Sequence, residues 1–142
     1  MPLQLDIVTP EKLAYSDEVD AVTLPGSEGE LGVLPHHAPL ISTLGAGELR
    51  LRKGGAEESF AIVGGFLQVL PDKVVVMAET ADMASEIDVE RAQEARRQAE
   101  QTLEGGFVEG ADLAAARAQL QAALIRIRVA ERRQHEGRRR HS

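Results

Sequence analysis

Cysteine is absent from the 142 residues, tryptophan is absent as well, and aromatic residues make up 3% of the chain. The first absence removes disulfides, thiolate nucleophiles and thiolate metal sites, and suits a reducing compartment. The scarcity of aromatics leaves no platform on which bases or sugars would stack. No apolar run is long enough to cross a bilayer, and Met1-Pro2-Leu3-Gln4-Leu5-Asp6 has neither the basic n-region nor the long apolar h-region of a secretory signal, so the chain is expected to be soluble. Its length suits one domain, or a small domain with an appendage, around a modest core, and a large catalytic cleft is not expected.

Motifs for catalysis are missing too. Gly64-Gly65 has no Walker-type lysine after it, no GxGxxG precedes a helix, and none of Ser16, Ser27, Ser42, Ser59 or Ser85 sits in a nucleophile elbow. Adjacent His36 and His37 would point apart on a strand and lack a third ligand at metal-binding spacing, so they read as a polar loop stiffened by Pro35 and Pro39, with no metal expected. Glu28 and Glu30 lie in a glycine-rich stretch with no base nearby, and read as a solvated contact loop instead of an acid/base pair. No catalytic residue is assigned.

What is present falls into two parts with different periods. From Leu3 to about Thr80, β-prone runs alternate with turn residues every eight to ten positions, as in an all-β sandwich or barrel. The runs are 3–8, 18–24, 32–34, 40–44, 48–52, 59–63, 66–70 and 73–78, with breaks at Thr9-Pro10, Pro25-Gly26, Gly45-Ala46-Gly47, Gly54-Gly55, Gly64-Gly65 and Pro71-Asp72. Lys53-Gly54-Gly55-Ala56 and Leu70-Pro71-Asp72-Lys73 predict tight hairpins. Strict alternation in Glu48-Leu49-Arg50-Leu51-Arg52 predicts a strand with one wet face. The stretch Ser27-Glu28-Gly29-Glu30-Leu31-Gly32 followed by Pro35-His36-His37-Ala38-Pro39 predicts a shaped loop.

After Ala84 glycine vanishes until Gly105 and alanine, arginine and glutamate dominate, which predicts a helix with Ser85 or Asp88 as its N-cap. Gly105-Gly106 ends it and Asp112 starts a second. Leu113, Ala116, Leu120, Ala123, Ile127 and Ala130 form a seam, matched by Ala92, Ala95 or Arg96, Ala99 and Leu103, so the pair predicts a hairpin weakly held through small residues and therefore mobile. Leu124, Ile125 and Val129 lie off that seam and are expected to face another surface. Net charge is −7, yet residues 86–142 hold 11 basic against 10 acidic side chains while 1–85 hold 5 against 13. The basic end, with Arg117, Arg126, Arg128, Arg132, Arg133 and Arg138-Arg139-Arg140, points to an acidic partner; without interleaved aromatics, nucleic acid is not that partner, and a solvated terminus is the plain alternative for the last three.

The loop Ser27–Gly32, the Pro-His-His-Ala-Pro segment and Ile87-Asp88-Val89-Glu90-Arg91-Ala92 together resemble the epsilon subunit of F-type ATP synthases, over nearly the whole chain. The resemblance implies a β plus α fold: a flattened β-sandwich of about ten strands in residues 1–84, which binds the gamma subunit and the c-ring, and an antiparallel two-helix hairpin in 85–142, a mobile regulatory domain. It implies a non-catalytic rotor subunit that couples ATP synthesis to proton transport, with the hairpin restraining ATP hydrolysis. It places Glu30 and His37 at the c-ring, with His36 standing where glycine is more usual. Asp82, Ile87, Asp88, Arg91, Ala92 and Arg126 match ATP-binding positions of some bacterial members, although Asp88 could equally serve only as a cap. Gln98 and Ala122 stand where ATP-binding members carry arginines, so no cofactor is required and ATP is at most a weak regulatory ligand. Arg126, Arg128, Arg132 and Arg133 would grip an acidic loop of the beta subunit, alpha and beta being the further partners in the catalytic head. The implied location is the cytoplasmic face of the cell inner membrane, with attachment only through the c-ring. A nucleotide-sensing module and a free-standing scaffold are the competing readings.

Overall fold

The computed structural model describes residues 3–26, 28–106 and 109–141, the last seven by backbone alone. Contacts divide the chain into two compact units, Met1–Met83 and Ala84–Ser142. Ser27, and the side chains of Arg138, Arg139 and Arg140, lie outside the described residues.

Among the described residues the first unit contains eight strands: β1 (Leu3–Val8), β2 (Leu13–Val19), β3 (Ala21–Gly26), β4 (Gly29–Val33), β5 (Leu40–Thr43), β6 (Gly47–Lys53), β7 (Ala56–Leu70) and β8 (Lys73–Met83). They join in the order β2-β1-β8-β7-β6-β3-β4, with β5 added on β7. Strand β7 belongs to both layers. Its first part pairs with β6 from Ala56 to Ile62, and its last part pairs with β5 from Phe66 to Val69. The change of partner falls at Gly64-Gly65, whose φ values of 65° and 113° only glycine adopts without strain. A side chain at Gly65 would collide with the Met77 carbonyl oxygen. Pairing with β8 continues unshifted on either side, Val63 opposite Thr80 and Gly65 opposite Ala78. These glycines therefore bend one 15-residue strand where the sequence predicts a break between two.

Inner faces of the two layers enclose one core. Leu3, Leu5, Ile7, Leu67, Val69, Val74 and Val76 come from one layer, and Val22, Leu24, Val33, Leu49, Leu51, Phe60 and Ile62 from the other. The two hairpins form as the turn residues predict: Lys53 pairs with Ala56 across Gly54-Gly55, and Leu70 pairs with Lys73 across Pro71-Asp72. Three local expectations change. The run 18–24 is the end of β2 and the start of β3, separated at Asp20, whose N–H donates to the Arg52 carbonyl at 2.8 Å and whose carboxylate accepts from the Gly54 N–H at 3.0 Å. Gly29, Glu30 and Leu31, expected as loop, join the run expected from Gly32 in one edge strand, β4, paired to β3. Eight strands stand among the described residues against about ten implied by the resemblance, because β7 and β8 each run through both layers.

The second unit opens with a single 3₁₀ turn, Ala84–Glu86, followed by α1 (Val89–Glu104) and α2 (Ala111–His141). Asp88 is the N-cap: its backbone is extended (φ −83°, ψ 103°) and its Oδ1 accepts from the Arg91 N–H at 3.1 Å. Gly105 closes α1 by donating to the Gln101 carbonyl at 3.1 Å, and Gly106 follows at φ 69°. The short link to α2 makes the helices antiparallel neighbours, with Ala92 and Ala99 buried on α1 and Ala116, Ala123, Ile127 and Ala130 buried on α2, as the seam predicts. Of the off-seam group, Leu124 is 46% exposed, whereas Ile125 and Val129 are buried at 5% and 1%.

Candidate functional site

Among the described residues, the candidates singled out by the sequence lie on surfaces. Glu30, the second residue of edge strand β4, extends a side chain that is 69% exposed. It is not isolated, as its neighbours in sequence suggest: Arg50 Nη2, on β6, donates to Glu30 Oε1 at 3.2 Å. His37 lies beyond the end of β4, in a turn closed by its own N–H donating to the Leu34 carbonyl at 3.2 Å, with its ring Nδ1 2.8 Å from the Ala38 carbonyl. His36 beside it holds φ 67°, a left-handed conformation that explains why glycine suits this position better, and its N–H donates to the Pro71 carbonyl at 2.6 Å. The loop is thus tied to the β7–β8 hairpin.

At the start of α1 the four signature residues each have a local role. Ile87 donates its N–H to the Ala84 carbonyl at 3.4 Å, and the Asp88 carboxylate caps the Arg91 N–H. Ala92 donates to the Asp88 carbonyl at 3.0 Å and buries its methyl group, while the Arg91 side chain stays exposed. Arg126 stands half-buried on α2 in the same unit, whereas Asp82 belongs to the sandwich on β8, opposite Ala61. Of the basic residues on α2, Arg128 is exposed, and Arg132 and Arg133 are half-buried.

One surface escapes the sequence reading. On the outer face of one layer, Leu13 pairs with Val8, Val8 with Met77, and Met77 with Phe66, so a single row of apolar side chains crosses β2, β1, β8 and β7. They are 60%, 36%, 46% and 56% exposed in that order. A neighbouring row ends in Ile41, 74% exposed and opposite Gln68. One border is polar: Lys73 Nζ lies 3.2 Å from Asp6 Oδ2, and Asp6 Oδ1 accepts from Ser16 Oγ at 2.7 Å and Gln4 Nε2 at 2.9 Å. These hydrogen bonds hold the Asp6 carboxyl below the usual carboxylate range, the Gln4 contact most of all. An apolar centre with a polar rim is the anatomy of a protein interface. The available signal was Val74-Val75-Val76-Met77, an unbroken apolar run that makes both faces of a strand apolar where alternation would leave one wet.

The outer face of the other layer is different. Glu48, Arg50 and Arg52 project from β6, and a recess of about 300 Å³ opens among Ala21, Thr23, Arg50, Leu51, Arg52 and Glu57. Among the described residues no group of three or more histidines and carboxylates could hold a metal ion, and no helix is long and apolar enough to cross a membrane.

Comparison with known proteins matches the chain to a family. Residues 2–84 match the family model described as the ATP synthase delta/epsilon chain, beta-sandwich domain, and residues 85–131 match the delta/epsilon chain long alpha-helix domain. An ATP synthase epsilon chain of Dehalococcoides mccartyi is 50% identical over 131 residues, covering 92% of this chain and 94% of its own length. That of Herpetosiphon aurantiacus is 46% identical over 135 residues, covering 95% and 98%. In the cryo-EM structure of the Euglena gracilis mitochondrial ATP synthase (OSCP, F1 and c-ring), one chain superposes with a TM-score of 0.70 at 25% identity, covering 84% of this chain and 76% of that one. A chain of the Tetrahymena thermophila central stalk and c-ring shares the fold at a TM-score of 0.58 and 16% identity, covering 92% and 97%. Matched along both of its units, the chain belongs to the family of ATP synthase epsilon chains.

Proposed function

We propose that the sandwich of this non-catalytic stalk subunit joins the gamma subunit to the c-ring, and that its helices restrain ATP hydrolysis. The observation that carries the first part is the apolar row Leu13, Val8, Met77 and Phe66, four strands wide and open to solvent on a small sandwich. Gamma is its occupant, because a stalk subunit must hold a partner firmly enough to turn with it, and apolar burial supplies that hold at about 25 cal/mol per Å². Glu30 and His37 supply a second, polar contact to the loops of the c-ring, through which the subunit is peripheral on the cytoplasmic face of the inner membrane.

Restraint of hydrolysis rests on α2. Arg126, Arg128, Arg132 and Arg133 supply positive charge for an acidic loop of the beta subunit in the alpha–beta catalytic head. The burial of Ile125 and Val129 adds a condition: those two side chains take part only after α2 gives up its present packing. ATP is a weak ligand in this scheme. Arg91 is the exposed cation at the helix start, with Asp82, Ile87, Asp88, Ala92 and Arg126 as the remaining candidates, and the Asp88 carboxylate is already engaged as a cap.

The deciding experiment replaces Phe66 by Glu in the full chain and titrates it against gamma. Binding should weaken at least about tenfold while the unfolding midpoint stays within the small range of surface changes. Unchanged affinity would remove the apolar row from the gamma contact. Deletion from Leu113 onward should raise ATP hydrolysis by the assembled complex, and no rise would mean that the helices do not inhibit.

A further inference from the structure

Glu30 leaves an edge strand on a side chain with three rotatable bonds, yet its carboxylate is gripped from two strands away. Arg50 Nη2 donates to Glu30 Oε1 at 3.2 Å, and Arg50 Nε lies 4.0 Å from Glu48 Oε1. The reach crosses β3: Thr23 registers with both Gly32 and Arg50, and Pro25 registers with Glu30. Exposure is unequal. The Arg50 side chain is 33% exposed and Glu48 17%, against 69% for Glu30, so the cation is the anchored partner and the carboxylate is the group presented outward. Such an exposed pair adds little to stability, which leaves the fold intact without it. It nevertheless decides where the carboxylate stands, since a free glutamate samples many rotamers and loses them only on contact.

We propose that Arg50 is a positioning residue for the stalk contact, holding the Glu30 carboxylate in the orientation that meets a cation or hydrogen-bond donor on the c-ring loops. This rests on Glu30 being a c-ring contact. Planar guanidinium geometry matters here, because one side chain addresses Glu48 through Nε and Glu30 through Nη2, whereas lysine would offer a single point of charge.

The test adds the full chain back to ATP synthase depleted of this subunit, and measures apparent affinity and proton pumping for the unmodified protein, Glu30→Ala, Arg50→Ala, Arg50→Lys and the Glu30→Ala/Arg50→Ala double variant. Arg50→Ala should weaken binding about two- to fivefold, with Arg50→Lys between it and the unmodified chain. The double variant should bind no more weakly than Glu30→Ala alone, since a residue acting through Glu30 has nothing to act on once it is gone. Unfolding midpoints of the free chains should not move. Full affinity of Arg50→Ala, or a further loss in the double variant, would overturn the positioning role while leaving the Glu30 contact in place. Full affinity of Glu30→Ala would instead remove the contact itself, and the role of Arg50 with it.

Discussion

Leu5, Ile7, Leu24, Phe60 and Leu67 fill the sandwich, whereas the buried side chains of α1 are Ala92 and Ala99 and those of the early turns of α2 reduce to Ala116. The two units are therefore stabilised in different ways. Strands paired across long stretches of sequence enclose large side chains in one core. The helices rest on a cap, a glycine stop and a seam of methyl groups, each of which stabilises less than a buried leucine or phenylalanine. Later turns of α2 depart from this pattern, because Ile125, Ile127 and Val129 are all buried there.

The comparison breaks most severely at Gly65. Gly65→Val would force a β-branched residue to φ 113° and drive it into the Met77 backbone, so a loss of at least about 3 kcal/mol is expected, measured by urea unfolding of the sandwich signal. A milder change should leave the bend in doubt as the point on which both layers turn.

Core truncation sharpens the contrast. Leu67→Ala, at a fully buried site, should cost about 2–5 kcal/mol, whereas Ala123→Gly in the helical seam should cost about 1 kcal/mol. Equal costs would show that the helices are held as firmly as the sandwich.

Asp88→Ala should destabilise α1 by about 1 kcal/mol and speed hydrogen exchange at the Arg91 amide. Asp88→Asn keeps a capping oxygen and should largely retain protection. If ATP protected the helix as well in Asp88→Ala as in the unmodified chain, the carboxylate would have no part in a nucleotide site.

The smallest effect is electrostatic. The folded pKa of Asp6 lies below its unfolded value, so its contribution is present above the unfolded pKa of about 4 and is lost as pH falls through the folded one. With Lys73 as a partly exposed partner, the contribution stays under about 1 kcal/mol. Asp6→Asn should flatten the acid limb of stability against pH, and an unchanged limb would assign it to other carboxylates.

Much of this was visible in order of residues alone where the signal is local. The change of period after Ala84, the tight turns at Gly54-Gly55 and Pro71-Asp72, the stop at Gly105-Gly106 and a carboxylate cap each depend on neighbours within a few positions, and each stands in the structure. The lack of cysteine and the scarcity of aromatics likewise bound the chemistry before any fold is known. Tertiary structure decided the rest. Gly64-Gly65 reads as a break until β8 is seen paired on both sides of it; Glu30 reads as unpartnered until β3 brings Arg50 alongside; Val8, Leu13, Phe66 and Met77 read as scattered until register lines them up. A turn or a helix start is set by φ, ψ and hydrogen bonds inside one stretch of chain. A bend, an ion pair or an interface depends on which distant strands pair and in what register, and that is chosen by burying the core as a whole.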